Sequence, residues 1–143
     1  KDLCEKQLSM AEELNLPVVI HSRDAVKDTI DILKKYKVKG IIHCFSGSLD
    51  VSKMYIKRRS KLGGGGVVAC KNSKVFEVVK ELSSKDFILE TDSPYLSPIR
   101  GEKNEPKNIP LIAEFISSVR GVSIEKVQND TTNNVKEIFN LKI

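Results

Sequence analysis

The only two histidines of this chain stand directly after short apolar runs. His21 follows residues 17–20, and His43 follows residues 40–42. Short apolar runs that are separated by helix-like stretches are typical of buried parallel strands. Ligands and catalytic groups gather at the carboxyl ends of parallel strands, so we expect both imidazoles to lie in one site.

A pair of carboxylates follows a third apolar run. Residues 87–89 lead through Glu90 to Asp92. Imidazole and carboxylate together suit divalent ions such as zinc, magnesium or manganese. A bound ion can lower the pKa of water from 15.7 to about 7, and Asp92 can accept a proton from the attacking water. We therefore predict that His21, His43 and Asp92 bind one or two divalent ions.

Each of these residues also has a purely structural explanation. A single histidine beside an apolar run is more often a partly buried residue with ordinary hydrogen bonds. Asp92 stands before Ser93 and Pro94 and can simply form a turn. Glu90 is as suitable for a structural hydrogen bond as for catalysis. The convergence of three strand ends is what favours the metal site.

Three further features bear on substrate binding. Arg23 closely follows the first strand and can bind a phosphate through two hydrogen bonds, or form a salt bridge to a loop carboxylate. Residues 63–66 are four glycines without a following Gly-Lys-Ser/Thr, which favours close strand packing over phosphate binding. Cys44 is next to His43 on the predicted strand, so its side chain should point to the opposite face and serve packing.

Alternating helices and strands must position these residues. The alternation predicts right-handed crossovers and a parallel sheet of the α/β class. The predicted helix caps are Asp24, Ser48, Ser73 and Ser123, and Gly121 separates the last two helices. The predicted elements are a helix over 2–15, strands over 17–21, 40–43, 62–68 and 87–90, two intervening helices that end near 35 and 58, a helix after Ser73, a loop over 93–107, and helices over 108–120 and 123–139.

Composition indicates one globular domain over residues 1–143. The chain is 40% hydrophobic and 30% charged, and no apolar run approaches the roughly 18 residues of a membrane span. Three cysteines without a Cys-x-x-Cys pair favour a reducing compartment, and a cytoplasmic location is the default expectation. The net charge is +5, and the basic cluster at residues 57–61 can face a phosphate backbone or merely end a helix in solvent. The chain begins at Lys1 inside a predicted helix, which suggests a fragment.

The order of several motifs resembles the TatD family of metal-dependent deoxyribonucleases. The resemblance extends over essentially the whole chain. The motifs are Pro-Val-Val-Ile-His-Ser-Arg at 17–23, Ile-His-Cys-Phe-Ser-Gly at 42–47, Lys-Asn at 71–72, Glu-Thr-Asp-Ser-Pro-Tyr-Leu at 90–96, Arg-Gly at 100–101, Asn-Glu-Pro at 104–106 and Thr-Thr-Asn-Asn at 131–134.

The resemblance implies a (β/α)₈ TIM barrel of the amidohydrolase-like group. It implies hydrolysis of DNA phosphodiester bonds, often as a 3′ exonuclease, with one or two divalent ions. On this basis His21, His43 and Asp92 are metal ligands, and Asp92 is also the general base. The residues that the resemblance assigns to the substrate pocket or its rim are Arg23, Ser93, Tyr95, Arg100 and Asn104.

Two motifs of that family are missing from this chain. The family carries a His-x-His pair on its first strand and a glutamate on its fourth, and a full barrel takes about 250 residues. The chain therefore matches about the last four strands with the C-terminal helices, and strands 1–4 of the barrel are absent. Half a barrel exposes strand edges and apolar side chains, which favours self-association, complementation by the missing half, or a terminal helix that covers the opening.

These departures leave three functional interpretations open. The first is a metal-dependent deoxyribonuclease that cleaves DNA through metal-activated water. The second is a truncated, non-catalytic half-barrel that binds metal or nucleic acid without turnover. The third keeps the fold but changes the substrate, because related metallohydrolases act on amides and esters. A steep fall of activity with salt would favour nucleic acid.

Overall fold

A four-stranded parallel sheet forms the centre of the molecule. The computed structural model describes residues 1–70 and 72–143, so Lys71 of the predicted Lys-Asn motif lies outside the described residues. The sheet has the order β1-β2-β3-β4, and every pair of neighbours is parallel. The strands are β1 (Val18–His21), β2 (Gly40–His43), β3 (Ser60–Gly64) and β4 (Phe87–Leu89).

Six α-helices among the described residues connect and cover these strands, so the predicted α/β alternation and parallel sheet are confirmed. Three single turns of 3₁₀-helix lie at Gly66–Ala69, Ser84–Asp86 and Pro106–Asn108. The helices are α1 (Asp2–Glu13), α2 (Val26–Leu33), α3 (Leu49–Ile56), α4 (Lys74–Glu81), α5 (Ile109–Arg120) and α6 (Ile124–Phe139).

Most of the predicted helix ends are confirmed. The hydroxyls of Ser48, Ser73 and Ser123 each accept a hydrogen bond from the backbone N–H three residues later, as N-caps do. Gly121 ends α5 in the left-handed conformation, with φ 64°. The predicted cap at Asp24 is wrong, because its backbone is itself left-handed (φ 52°). Ala25 is the N-cap residue instead, and α2 begins at Val26 without a side-chain cap.

The predicted third strand is shifted and too long. The apolar run suggested a strand over 62–68, but β3 begins at Ser60 and ends at Gly64. The chain then turns through the 3₁₀-helix that carries Val68, a residue 1% exposed in the main core. The strand prediction extended to Val68 because this residue is apolar. A buried turn and a buried strand have the same apolar composition, so the sequence does not distinguish them.

The two faces of the sheet are covered to different extents. Side chains such as Ile42, Leu62 and Phe87 belong to the main core together with residues of the helices. On the other face, Ile41 and Ile88 form a small separate cluster with Ile138, from the C-terminal part of α6. Val19 on β1 is 61% exposed. The terminal helix thus covers only part of the second face, and β1 is left open there.

No helix in the described parts of the chain combines the length and the apolar character that crossing a bilayer requires.

Candidate active site

The carboxyl ends of β1 and β2 bring the two histidines side by side. His21 and His43 are partners in the register of the two strands. Their ring centroids are 6.0 Å apart. Together with Arg23 and Asp92, both rings line a cavity of about 580 Å³. The predicted convergence of the strand ends is therefore observed for these four residues.

His43 lies between two carboxylates. Its Nδ1 is 2.5 Å from Oε2 of Glu90, and its Nε2 is 3.0 Å from Oδ1 of Asp92. The other oxygen of Glu90 accepts a hydrogen bond from the backbone N–H of Cys44. Of the two alternatives for Glu90, the structure shows the hydrogen-bonding role, since Glu90 fixes the position of the imidazole ring.

The glycine at the end of β3 makes this contact possible. Glu90 follows β4, whereas His43 ends β2, and β3 runs between these two strands. A Cβ atom on Gly63 would overlap Oε1 of Glu90 and lie 2.6 Å from its Cδ. The Glu90 side chain can therefore cross β3 only because Gly63 has no side chain. This observation agrees with the close-packing explanation of the glycine run.

The two carboxylates also change the protonation of the ring. Burial disfavours the charged imidazolium, but the hydrogen bonds and negative charges of Glu90 and Asp92 outweigh burial and raise the pKa of His43 above its usual 6.5. If Nδ1–H donates to Glu90, the lone pair of Nε2 faces an oxygen of Asp92. Two acceptors at 3.0 Å need a proton or a cation between them.

This donor set fits a divalent ion in its chemistry. A histidine that ligates a metal usually donates its other ring N–H to a carboxylate, and Glu90 occupies that position. The described residues, 1–70 and 72–143, contain no group of three or more His, Cys, Asp or Glu side chains close enough together to hold a metal. His43 and Asp92 thus place two possible metal-binding atoms close together. The assignment of His21, His43 and Asp92 as metal ligands stays a prediction.

Cys44 differs from the expectation. Its side chain was expected to point away from that of His43, yet Cys44 lines the same cavity. The reason is that β2 ends at His43 and Cys44 adopts a left-handed backbone conformation (φ 49°), so strand alternation no longer applies. Burial, followed by the charges of Asp92 and Glu90, raises the pKa of its thiol to about 11. A neutral thiol agrees with the expectation that Cys44 is not a nucleophile.

The loop after β4 places the other predicted residues outside this cavity. Ser93 donates its hydroxyl to Oγ1 of Thr91, and Tyr95 is 69% exposed. Arg100 is exposed further along the loop. Asn104, which the resemblance assigns to the substrate pocket or its rim, is 1% exposed and holds the loop from inside. Its Nδ2 donates to the carbonyl oxygens of Thr91 and Tyr95, both at 2.6 Å.

Sequence reasoning missed the residues that support the wall of the cavity. The hydroxyl of Tyr55, which is 1% exposed, donates to Oγ of Ser22, and Ser22 also contacts Oγ1 of Thr29. Tyr55 lies on α3 and its partner Ser22 is 33 residues away, so only the fold reveals the contact. Leu96, which also lines the cavity, was part of a quoted motif but received no role.

Comparison with known proteins connects this chain to one family. The family model "TatD related DNase" matches residues 1–140. An uncharacterized metal-dependent hydrolase of Bacillus subtilis, YabD, is 40% identical over 99% of this chain and 58% of its own length. A second metal-dependent hydrolase, MJ1582 of Methanocaldococcus jannaschii, is 36% identical over the whole of this chain and 57% of its own. Human deoxyribonuclease TATDN3 is 36% identical over 94% of this chain and 49% of its own.

Two solved structures share the fold of this chain. The TatD homologue YJJV of Escherichia coli superposes with a TM-score of 0.89 at 27% identity, over 96% of this chain and 55% of that protein. A TatD family hydrolase of Entamoeba histolytica superposes with a TM-score of 0.83 at 21% identity, over 94% of this chain and 54% of that protein. The chain thus spans little more than half the length of these relatives. By the family match over residues 1–140, the chain belongs to the TatD-related DNase family.

Proposed function

We propose that the complete protein is a metal-dependent deoxyribonuclease that hydrolyses DNA phosphodiester bonds. The observation that carries the proposal is the position of His43 between Glu90 and Asp92. The names of the relatives support it, since two are metal-dependent hydrolases and one is a deoxyribonuclease. The metal would be Mg²⁺, Mn²⁺ or Zn²⁺, and one or two ions would bind.

The residues of the cavity have distinct roles in this proposal. His21, His43 and Asp92 would hold the metal, and the metal would lower the pKa of water toward about 7. Glu90 keeps the His43 ring in place through Nδ1. Asp92 accepts the proton of the attacking water and is the catalytic base.

Substrate binding would use the groups around the cavity. Arg23 is exposed and lines the cavity, so its guanidinium is free to bind a phosphate of the DNA substrate. Tyr95 presents an exposed aromatic ring on the loop that follows Asp92, and such a ring can stack on an unpaired base. Ser93, Arg100 and Asn104 would shape the loop on which this ring lies.

The proposed setting of the site is a barrel. The open edges of β1 and β4 would pair with further strands and complete a (β/α)₈ TIM barrel, of which residues 1–143 form a part. Those strands would come from the rest of a longer chain or from an associated molecule. The three free cysteines agree with a reducing, cytoplasmic setting.

Hydrolysis of single-stranded DNA tests the proposal. Wild-type chain and His43→Ala are incubated with Mg²⁺ or Mn²⁺, each beside an EDTA control, and the products are resolved by length. We expect cleavage that EDTA abolishes and that His43→Ala loses. Lys6→Ala, a change on the exposed face of α1, is the control and should cleave like wild type.

A negative result is informative when the chain is folded. Circular dichroism and a cooperative thermal transition establish folding for each variant. Cleavage that survives both EDTA and His43→Ala would contradict the proposal. If the folded chain does not cleave, the assay is repeated with the missing barrel half supplied in trans, and a continued lack of cleavage would then exclude DNA hydrolysis.

A further inference from the structure

A second cavity lies at the opposite, amino end of the sheet. Lys39 precedes β2 and Arg59 precedes β3, and the backbone N–H of Gly40 donates to the carbonyl of Arg59 at 3.3 Å. The two cationic residues therefore lie side by side just before the starts of adjacent strands. With Lys37 they line an open groove of about 430 Å³, which we call the amino-end groove. Its other lining residues include Asn15, Leu16, Phe139 and Asn140.

The positive charge of this groove is not balanced within it. Among the described residues that line the groove, none is an aspartate or a glutamate. In the same described part of the chain, Lys37, Lys39 and Arg59 form no salt bridge. All three side chains are exposed. Like charges on neighbouring strands repel each other, so a bound anion would relieve an unfavourable interaction.

A cavity next to the amino-end groove differs from it in charge, because carboxylates line this cavity as well as cations. That cavity shares Lys39 and Arg59, but Asp86 and Glu137 also line it. Nζ of Lys61 lies 3.5 Å from Glu137, so a carboxylate partly neutralises the lysine there. Near the amino-end groove, Glu12 accepts a hydrogen bond from the backbone N–H of Lys37 but does not line the groove.

The rest of the groove surface suits unpaired bases. Phe139, at the end of α6, is 38% exposed, and Leu16 is 53% exposed. The exposed amide side chains of Asn15 and Asn140 are available for hydrogen bonds. A cationic groove that tracks phosphates beside an aromatic ring on which bases stack is the usual design of single-strand binding sites.

We propose that the amino-end groove binds single-stranded nucleic acid. Lys37, Lys39 and Arg59 contact successive phosphates, and a base packs against Phe139. The groove shares no lining residue with the cavity of His21 and His43. It lies at the other end of the strands, so this binding site is separate from the proposed hydrolytic site and does not depend on a metal.

Binding of a labelled oligonucleotide in EDTA tests this site without turnover. Fluorescence anisotropy of a 5′-labelled 20-nucleotide oligo(dT) is measured over a range of salt concentrations. The test variant is the double change Lys39→Gln with Arg59→Gln. The control is Lys6→Gln with Lys80→Gln, which removes the same charge from two exposed helix positions.

The expected result is a change in salt dependence. Each phosphate contact to a single strand contributes about −0.7 to the slope of log K against log salt. The groove variant should therefore lose about 1.4 from the magnitude of the slope and bind tenfold or more weakly at 0.1 M salt. The control should keep the wild-type slope. Equal slopes for wild type and groove variant would overturn the proposal.

The aromatic contact has a separate test. Phe139→Ala should weaken oligo(dT) binding by about 5- to 150-fold without a change in slope, because stacking involves no counterion release. Phe139→Tyr keeps an aromatic ring and should bind like wild type. If duplex DNA or poly-glutamate binds the groove more tightly than oligo(dT), the assignment to single strands is wrong.

A further measurement separates this proposal from the proposed hydrolysis. Cleavage of a small phosphodiester, the p-nitrophenyl ester of thymidine 5′-phosphate, reports on the catalytic cavity alone. The groove variant should cleave it at the wild-type rate, whereas His43→Ala should lose this cleavage and keep the salt slope of oligo(dT) binding. A groove variant that also loses small-substrate cleavage would contradict two separate sites.

Discussion

The two ends of one parallel sheet differ in how their charged groups are satisfied. At the carboxyl end, His43 contacts Glu90 through Nδ1 and Asp92 through Nε2, so the ring has a carboxylate on each side. At the amino end, Lys39 and Arg59 are adjacent and, within the described residues, have no carboxylate partner in the groove that they line. The carboxyl end of the sheet thus favours binding of a cation, and the amino end favours binding of an anion. The residues in the loops, rather than the fold, cause this difference.

The ends also differ in rigidity. The carboxyl-end site depends on a short chain of contacts that includes Gly63, so a small displacement is sufficient to disturb it. The amino-end groove uses long, exposed side chains, which lose conformational entropy on binding and tolerate displacement. Substitutions at the carboxyl end should therefore have larger effects than substitutions at the amino end.

Removal of the Glu90 carboxylate should produce the largest effect. Glu90→Ala frees the His43 ring and leaves the backbone N–H of Cys44 without its partner. Loss of such a supporting contact costs 10- to 100-fold in metal affinity or activity in metal sites. Calorimetric titration with Mn²⁺ and the DNA hydrolysis assay would measure it. Glu81→Ala, at an exposed position of α4, is the control, and an equal loss there would contradict the role of Glu90.

A methyl group at Gly63 should have a similar but smaller effect. Gly63→Ala would push the Glu90 carboxylate away from His43, and we expect about a tenfold loss of DNA hydrolysis. Gly65→Ala is the matched control, because its Cβ would meet its nearest neighbour at 3.7 Å, an ordinary contact. Hydrolysis rates and thermal midpoints of both variants are compared. Equal activities would show that Glu90 reaches His43 by another path.

At the amino end, Asn134 is expected to affect stability rather than chemistry. Its Nδ2 donates to the carbonyl oxygens of Ser84 and Phe87, at 2.7 and 2.6 Å, and thereby ties α6 to the start of β4. Asn134→Ala leaves buried acceptors unpaired, which costs about 1–3 kcal/mol in the free energy of unfolding. Urea denaturation measures the change. The exposed neighbour Asn133→Ala should stay within about 0.5 kcal/mol of wild type.

The smallest effect should come from Asp31, which partners other lysines near this end. Hydrogen bonds from Lys27 and Lys34 lower the pKa of Asp31 to about 2. Since the folded pKa is below the unfolded value of 3.8, the stabilisation is present above pH 3.8 and is lost as the pH falls toward 2. The thermal midpoints of wild type and Asp31→Asn should therefore converge between pH 5 and pH 2. A constant difference across that range would contradict the ion pairs.

The sequence was sufficient for features that depend on local pattern. The strand ends at His21 and His43, the serine caps and the last two helices follow from apolar spacing and capping chemistry. The predictions for Asp24 and Cys44 were wrong because both residues have a left-handed backbone conformation. The identity of their side chains does not indicate this conformation.

Features that depend on the order of the strands could not be predicted from local sequence patterns. The path of Glu90 across Gly63 requires that β3 lie between β2 and β4, and the sequence does not specify this arrangement by itself. The buried position of Asn104 likewise depends on carbonyl groups up to 13 residues away. The basic cluster at 57–61 was noticed, but only the fold places Arg59 beside Lys39, away from the histidines.

The gap at Gly63 links formation of the site to assembly of the sheet. If β3 slipped so that Leu62 took the place of Gly63, the leucine side chain would block the path of Glu90. A slip of β3 in that direction would therefore abolish the His43–Glu90 contact. The amide hydrogen of Cys44, which Glu90 holds, should accordingly exchange with solvent no faster than the amides within the sheet, and its protection would report that the molecule has its native strand order.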